Sequence, residues 1–526
     1  MVLAKAAHPD LSRNALTRDR LFDYLWAGTT GQPHLPRLIP AEIQDLHSGD
    51  VPVFTTRPDS RDLWTSSGER IEGFFEQTAM DAVRHGLRKG GDDDLALQTW
   101  YIRAAIASGG SSMKGASVRL PLPETRNYME LARAVGDALL KQALEYESYA
   151  SWVGLAPVGP SESSWALEPL DLGLHAGISG CSFFLAYLGA LTGEGTYSKI
   201  ARKSMALVRR QLERMKLAGL PVSGLGGFAG VGGIVYTLAH LGFLWQDESL
   251  IDDAHLLAST IPPMISSDRM LDVISGSAGC IAALSVLNRV SPKDRLLEFA
   301  VECGDHLLRL QKSQDVGAAW ETDCPSVRPL TGFSHGAAGM AWALLKLAAW
   351  SRDPRFRAAA ESAIAYERST FVPEQSNWPD FRKWNSAPKG EAAGARFFVA
   401  WCHGAPGIAL ARMDSLPYLD DRATRDEIRV GLEKTAESGF GIDLCLCHGD
   451  FGNLDIVTLA EQRMGPEWSQ IRQRLVPDLL ASLSTKQAPP ALGLMVGLAG
   501  IGHTLLRLGY PCRVPSVLVL EPPVRV

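Results

Sequence analysis

Two short segments of the chain combine cysteine with histidine in the same order. One is Trp401-Cys402-His403-Gly404 and the other is Leu446-Cys447-His448-Gly449. Thiolates and imidazoles are ligands that Zn²⁺ prefers in proteins, and a catalytic zinc site keeps one of its four positions open for a water or a substrate. We therefore predict a zinc site formed by Cys402, Cys447 and His448, with an open fourth position.

Two neighbouring residues have more than one interpretation. Cys445 lies two residues before Cys447 and is an alternative ligand, although it falls outside the register that the two Cys-His segments share. His403 follows Cys402 directly, and its ring faces the cavity, supports a ligand from behind, or packs in the core. The remaining cysteines are scattered, and we expect small buried residues at Cys181, Cys280, Cys303, Cys324 and Cys512.

A thiol bound to such a metal has a lowered pKa and becomes a nucleophile near neutral pH, so the reaction also needs a group that moves a proton. His335 lies in Ser334-His-Gly-Ala-Ala-Gly, and Asp272 lies in Asp272-Val-Ile-Ser-Gly. Taken singly, the histidine would be interpreted as a capping or packing residue and the aspartate as a helix N-terminal charge. Together with a zinc site, they are predicted to be the catalytic pair.

These residues share a position in an internal repeat, which indicates what must hold them. The pattern Gly-x-x-Gly occurs seven times, and its first glycines are 45 to 68 residues apart, at Gly177, Gly230, Gly276, Gly336, Gly404, Gly449 and Gly497. The residue before three consecutive pairs is histidine: His335, His403 and His448. Equivalent repeats would bring these three residues to one end of the molecule.

Each repeat has the length of one helical hairpin and predicts an all-α fold. Most glycine pairs precede a wholly apolar stretch, such as 340–347, typical of an inner helix, while amphipathic stretches such as 353–368 and 422–437 suit an outer layer. Seven hairpins would close most economically into an α/α toroid, with an open solenoid as the alternative.

The part of the chain that precedes the repeats has a different sequence pattern. We predict an N-terminal region over residues 1–165, smaller and mainly helical, with helices at 69–89 and 94–107, and a second domain, which carries the repeats, over residues 166–526. Residues 157–164 are rich in proline and serine and are interpreted as a linker.

Composition excludes several classes of partner and location. The formal net charge is −6, and no basic stripe with interleaved aromatic residues occurs, so nucleic acid is not an expected partner. No apolar run reaches the ~18 residues of a membrane span, and the N-terminus lacks the apolar segment of a signal peptide. We predict a cytoplasmic protein.

The motifs together resemble the lanthionine synthetase C-like cyclases, specifically the cyclase part of class II lanthipeptide synthetases (LanM). The matching segments are 177–180, 272–276, 334–339, 401–408, 447–453 and 493–502. The resemblance implies zinc held by Cys402, Cys447 and His448, which activates a cysteine of a ribosomally made, dehydrated precursor peptide. That thiol adds to dehydroalanine or dehydrobutyrine and forms a (methyl)lanthionine ring. His335 and Asp272 match family residues in proton transfer, with the direction of transfer left open.

The N-terminal region resembles the end of the dehydratase domain of those synthetases, without the upstream part that binds ATP. We therefore expect no dehydration by this chain alone, which is a fragment, a degenerate copy, or half of a split enzyme with a separate dehydratase chain. Related cyclases have an arginine just before the Trp-Cys motif, whereas Arg396 here lies six residues before Cys402. A zinc-stabilised peptide-binding scaffold without catalysis is the alternative function.

Overall fold

The computed structural model describes residues 19, 22–27, 29, 34–108, 123, 125–158, 164–217, 222, 224–383, 396–485 and 491–525. The chain divides into two compact units. The first unit contains residues 1–100 and 213–220, and the second contains residues 101–212 and 221–526. Among the described residues, no helix is both long enough and apolar enough to cross a membrane.

The first unit contains short helices and one small hairpin. A 3₁₀ helix spans Leu35–Arg37, and the hairpin pairs β1 (Leu63–Trp64) with β2 (Arg70–Ile71). The helices are α1 (Asp23–Ala27), α2 (Ile39–Ser48), α3 (Ala79–Lys89) and α4 (Asp92–Ser108), the last of which runs into the second unit.

The predicted helix over 94–107 is confirmed by α4, but the one over 69–89 is wrong in its first half. The chain forms strand β2 there, and α3 begins only after Thr78, whose hydroxyl accepts a hydrogen bond from Asp81 N at 3.1 Å. This N-cap fixes the start of the helix.

The second unit is built from helical hairpins. It begins with α5 (Tyr128–Lys141) and the antiparallel pairs β3 (Leu144–Glu145) with β4 (Ala150–Ser151) and β5 (Val153–Val158) with β6 (Ser164–Pro169). The helices that follow are α6 (Ile178–Thr192), α7 (Gly195–Leu217), α8 (Val231–Trp245), α9 (Glu248–Ala258), α10 (Pro262–Ile265), α11 (Ser277–Val290), α12 (Asp294–Leu310), α13 (Ala337–Ser351), α14 (Pro354–Ser369), α15 (Ala405–Ser415), α16 (Arg422–Ser438), α17 (Asp450–Arg463), α18 (Glu467–Thr485) and α19 (Leu498–Gly509). A third pair, β7 (Lys312–Ser313) with β8 (Ala318–Ala319), follows α12, and a 3₁₀ helix (Pro373–Gln375) follows α14.

The stretch interpreted as a linker connects two paired strands. Val158 pairs with Ser164, so the ends of the stretch belong to β5 and β6. Its central residues, 159–163, lie outside the described part of the chain. The division between residues 165 and 166 stays a prediction.

Seven inner helices form a closed ring, which confirms the α/α toroid over the open solenoid. The inner helices are α6, α8, α11, α13, α15, α17 and α19; each contacts the next, and α19 contacts α6. Every residue of α6 from Ile178 to Gly189 is buried, whereas the outer helix α14 buries one face only. The seventh outer position is taken by α5, which packs against α19.

A ring of backbone hydrogen bonds closes the same circle at the N-terminal ends of the inner helices. Each donor and acceptor lies two or three residues before the first glycine of its repeat. The bonds run from His175 N to Phe228 O (3.0 Å), Phe228 N to Ile274 O (3.2 Å), Val273 N to Ser334 O (3.1 Å), Ser334 N to Cys402 O (3.2 Å), Cys402 N to Cys447 O (3.2 Å), Cys447 N to Met495 O (2.8 Å) and Met495 N to His175 O (2.8 Å). The repeats are therefore equivalent in space as well as in sequence.

The second glycine of the pairs permits the tight loop that this ring requires. A Cβ atom at Gly452 would collide with the carbonyl oxygen of Leu446, and one at Gly339 with the carbonyl oxygen of Phe333. Each of these carbonyls lies six residues earlier in the chain, so the loop folds back onto the first turn of its own helix. A larger residue would push the loop away from the ring.

The C-terminal segment fills the interior of the inner layer. Residues 514–520 are buried, and a 3₁₀ helix (Val517–Val519) lies among them. Side chains of the inner layer bond to the backbone of this segment and of the residue after it. Trp401 Nε1, in the loop before α15, donates to Leu518 O at 3.1 Å, and Tyr236 Oη of α8 donates to Glu521 O at 2.9 Å. The centre of the toroid is therefore packed with protein at this level.

Two buried histidines also hold this segment, and both are neutral. His240 Nε2 donates to Glu521 O at 3.0 Å while its Nδ1 accepts from the Tyr187 hydroxyl at 2.9 Å. His503 Nε2 donates to Pro515 O at 3.0 Å. Burial lowers the pKa of each histidine to about 3.

We expect acid to destabilise the second unit through these histidines. The unfolded chain protonates them below its ordinary pKa of 6.5, whereas the folded protein does not. Stability is therefore retained in full above that pH and falls as the pH drops towards 3, by about 1.4 kcal/mol per pH unit for each histidine. Urea unfolding at a series of pH values measures this slope. His503→Gln keeps a donor for Pro515 O and should make the slope shallower by one histidine's share; an unchanged slope contradicts the prediction.

Candidate metal centre and active site

The predicted catalytic pair is in contact and buried. His335 Nδ1 and Asp272 Oδ2 lie 2.5 Å apart, and both residues are less than a tenth exposed. The two residues come from adjacent repeats, in the loops that precede α11 and α13. The structure thus brings together two side chains that are 63 residues apart in the sequence.

The loop of Asp272 is locked from both sides of that residue. Asp272 Oδ1 accepts hydrogen bonds from Ser275 N at 2.7 Å and Gly276 N at 3.1 Å. Asp268 accepts from the backbone amides of Met270 and Leu271 through Oδ1 and from Ser277 through Oδ2. Leu271 has a φ of 63°, which is rare for a leucine, and these bonds hold it there.

A buried carboxylate holds the loop of His335. Glu367 Oε1 accepts from Gly332 N at 2.9 Å and from Ala338 N at 3.2 Å, on either side of the histidine. Its other oxygen pairs with Arg412 Nη2 at 2.8 Å, and Arg412 Nε pairs with Glu427 at 2.8 Å. Burial raises the pKa of Glu367, and the guanidinium of Arg412 opposes that shift.

The predicted zinc ligands lie in two neighbouring loops of the hydrogen-bonded ring. Cys402 N donates to Cys447 O at 3.2 Å, so the two cysteines are adjacent through their backbones, and both are buried. The tightest group of potential ligand atoms combines His448 with Asp443 and Cys445, whose ligand atoms all lie within 4.8 Å of one another. Zinc binding by Cys402, Cys447 and His448 stays a prediction. The position of Cys445 in the structure makes it a further candidate ligand.

Cys445 occupies a register position that the sequence interpretation overlooked. It lies four residues before the first glycine of its repeat, as Asp272 does, while the other five repeats have small residues there: Gly173, Gly226, Gly332, Ala400 and Gly493. The local geometry is the same, because Cys445 Sγ accepts from His448 N at 3.5 Å just as Asp272 Oδ1 accepts from Ser275 N. Cys445 is therefore inside the repeat register.

His403 lies beside the catalytic pair. Its ring centroid is 5.8 Å from that of His335, and its Nδ1 is 4.0 Å from Asp380 Oδ1. Within the described part of the chain neither ring nitrogen has a hydrogen-bond partner, although the side chain is buried. Burial lowers the pKa of His403 well below its usual range, and the positive charge of Arg382 adds to this effect.

Sequence reasoning missed a partly buried cation beside this site. Arg382 Nη2 and Nε pair with Asp380 Oδ2 at 2.8 and 3.0 Å. Burial disfavours the charge of Arg382, but the Asp380 carboxylate and the nearby Cys402 thiol raise its pKa. Arg396, which departs from the position of the family arginine, is joined to the same segment, since Asp380 N donates to Arg396 O at 2.8 Å. Only the fold reveals this pairing, because no spacing rule links Arg382 to Cys402.

Loss of the Glu367 charge should destabilise the loop that carries His335. Glu367→Gln leaves Arg412 buried with one acidic partner fewer, which costs about 3 kcal/mol of unfolding free energy. Glu361→Gln, on the exposed face of the same helix, removes a surface pair with Arg357 and serves as the control, with a cost below about 1 kcal/mol. Chemical denaturation of both variants measures the difference, and equal stabilities would contradict the role of Glu367.

Comparisons with known proteins give the same picture. The family model described as lanthionine synthetase C-like protein matches residues 168–519, and a model described as a domain of unknown function (DUF4135) matches residues 1–57. The solved structure of nisin cyclase superimposes with a TM-score of 0.52 at 18% sequence identity, covering 66% of this chain and 92% of that one. This similarity shows a common fold.

Two curated proteins of Lactococcus lactis subsp. lactis are similar in sequence. The lacticin 481/lactococcin biosynthesis protein LcnDR2 is 22% identical over 546 residues, which cover 96% of this chain and 54% of that protein. The nisin biosynthesis protein NisC is 26% identical over 208 residues, which cover 36% of this chain and 48% of that protein. The chain spans about half the length of these relatives. Since the lanthionine synthetase C-like model covers residues 168–519, well over half of the sequence, the chain belongs to that family.

Proposed function

We propose that this protein is a zinc-dependent cyclase that joins cysteine thiols of a dehydrated precursor peptide to dehydroalanine or dehydrobutyrine and forms thioether rings. One observation carries the proposal. The buried His335–Asp272 pair and the Cys402 and Cys447 loops occupy consecutive positions of one hydrogen-bonded ring, linked through Ser334. A proton-transfer pair thus lies next to soft metal ligands.

The residues of these loops fit zinc. Thiols and an imidazole are available from Cys402, Cys445, Cys447 and His448, and sulfur and nitrogen donors are those that zinc selects. When bound, zinc lowers the pKa of a substrate thiol and keeps it as a nucleophilic thiolate near neutral pH.

The catalytic pair is arranged to handle a proton at one defined atom. The bond to Asp272 fixes the His335 ring through Nδ1, which leaves Nε2 to face the substrate. Asp272 is itself held by two backbone amides and cannot rotate away without breaking them. His335 therefore either takes the proton that a substrate thiol releases or returns one to the carbon next to the new thioether bond. Both steps need the same fixed imidazole.

In this proposal the substrate reaches the cyclase domain already dehydrated. The alignment with LcnDR2 covers 54% of that protein, and residues 1–57 match the DUF4135 model. We propose that dehydration of serine and threonine is performed by a dehydratase part outside the described units, either on a separate chain or on a longer form of this one. A cytoplasmic site of action follows from the need for free thiols in the peptide.

Ring formation consumes one thiol for each ring. Purified protein incubated with a dehydrated peptide that contains cysteine should reduce the number of free thiols, measured by alkylation and mass spectrometry. His335→Ala should lower the rate by about 10²-fold or more, because the proton-transfer contribution is lost, while peptide binding is retained. His255→Ala changes a histidine of outer helix α9 and should leave the rate unchanged.

Two outcomes would contradict this assignment. Thiol counts that stay constant across several dehydrated peptides in the wild-type protein argue against a cyclase. A His335→Ala protein that closes rings at the wild-type rate would instead favour a zinc-stabilised peptide-binding scaffold on which the rings close without a catalytic histidine.

Metal content provides a separate test of the site. The wild-type protein should bind one zinc ion per chain by elemental analysis, and Cys447→Ala should lose most of it while the helical circular dichroism is kept, because backbone bonds still join the loops. Cys181→Ser alters a buried cysteine of α6 whose thiol donates to Leu492 O, a bond that serine can also make, so it should retain the metal. Full zinc occupancy in Cys447→Ala would contradict the ligand assignment.

A further inference from the structure

Within the repeats, only two side chains larger than a methyl group occur at the position four residues before the first glycine. One is Asp272, whose carboxylate reaches the catalytic histidine, and the other is Cys445. Small residues at the other five positions leave room for the loop and add no chemistry. The side chain of Cys445 thus occupies the same repeat position as the carboxylate that contacts His335.

The surroundings of Cys445 are those of a metal ligand rather than a core cysteine. Its sulfur lies within 4.8 Å of a ring nitrogen of His448, a limit that includes the separation of roughly 3.6 Å between a sulfur and a nitrogen ligand on one tetrahedral zinc. Its sulfur also accepts a hydrogen bond from His448 N, as metal-bound thiolates do.

Asp443 fixes this arrangement. Its Oδ1 accepts from Cys445 N at 2.7 Å, and its carbonyl accepts from Asp450 N at 2.7 Å at the start of α17. The Asp443 carboxylate is therefore already occupied by a hydrogen bond within the turn. A zinc ion near thiolates binds sulfur in preference to a carboxylate oxygen. Asp443 is therefore a positioning residue, which fixes the backbone that carries Cys445.

We propose that Cys445 is a displaceable fourth ligand, which binds the zinc ion with Cys402, Cys447 and His448 in the absence of substrate and yields its position to the substrate thiol. The inference rests on the proposed function. The sulfur of Cys445 leaves with the proton that the incoming thiol gives up, so the charge at the site does not change. The resting protein then exposes no open zinc position to water or to small cellular thiols.

Counting sulfur ligands tests this role independently of activity. X-ray absorption of the zinc-loaded wild-type protein should show three sulfurs and one nitrogen, whereas Cys445→Ser should show two sulfurs. The Co²⁺-substituted proteins give a second measure, since the intensity of thiolate-to-cobalt absorption rises with the number of bound thiolates. Cys181→Ser is the matched control and should give the wild-type values.

Addition of a short cysteine peptide without dehydrated residues separates exchange from simple binding. In the wild-type protein the thiolate absorption should stay constant while the labelled peptide binds, because one sulfur replaces another. In Cys445→Ser the same peptide should raise the absorption by one thiolate, and the peptide should bind several-fold more tightly because nothing competes with it.

The possible failures are distinguishable. Two sulfurs in the resting wild-type protein, or a thiolate absorption that rises when the peptide binds, overturns the role of Cys445 and leaves the proposed function intact if rings still form. A wild-type protein that binds neither zinc nor cobalt overturns both. The X-ray absorption of the wild-type protein decides the question even if Cys445→Ser does not fold.

Discussion

The structure depends on a circle of backbone hydrogen bonds between loops that are far apart in the sequence. Each loop donates to the next at the position two or three residues before its first glycine, and the circle ends where it began, at His175. Backbone groups buried in this way must be paired, so each loop is held by two neighbours. A side chain in any one loop therefore has a fixed place relative to those in the adjacent loops.

This circle of hydrogen bonds explains how residues that are far apart in the sequence come together at the candidate site. Asp272, His335, Cys402 and Cys447 come from four consecutive loops, and no local sequence segment contains two of them. Supporting carboxylates then fix individual loops: Asp268 and Glu367 each accept hydrogen bonds from amides on either side of a residue of the predicted catalytic pair. The low dielectric of the buried surroundings strengthens the His335–Asp272 contact and penalises any group left without a partner.

The sequence was informative wherever a rule of spacing applied. Glycine pairs at regular intervals identified the repeat, the inner helices and the loops, because only glycine, which has no side chain, fits where two backbone segments approach this closely. His335 and Asp272 were predicted to act together from their chemistry and their neighbouring repeats, and the direct contact between them is seen in the structure. What failed were features without a spacing rule: Arg382 reaches the site from an irregular segment, and α5 completes the outer layer although it precedes the first glycine pair. The register position of Cys445 was missed because only its distance from Cys447 was considered, and not its distance from Gly449.

The circle also bears on what the metal contributes. The loops of Cys402 and Cys447 are already joined by a backbone bond, and the packed C-terminal segment supports the inner layer from within through bonds such as that of Trp401 to Leu518. A zinc ion bound by the proposed ligands would therefore not be needed to bring them together, unlike in small domains that fold only on metal binding. A scaffold that closes by its own hydrogen bonds can let one ligand come and go without losing its shape, and a metal that must exchange a protein sulfur for a substrate sulfur requires such a scaffold.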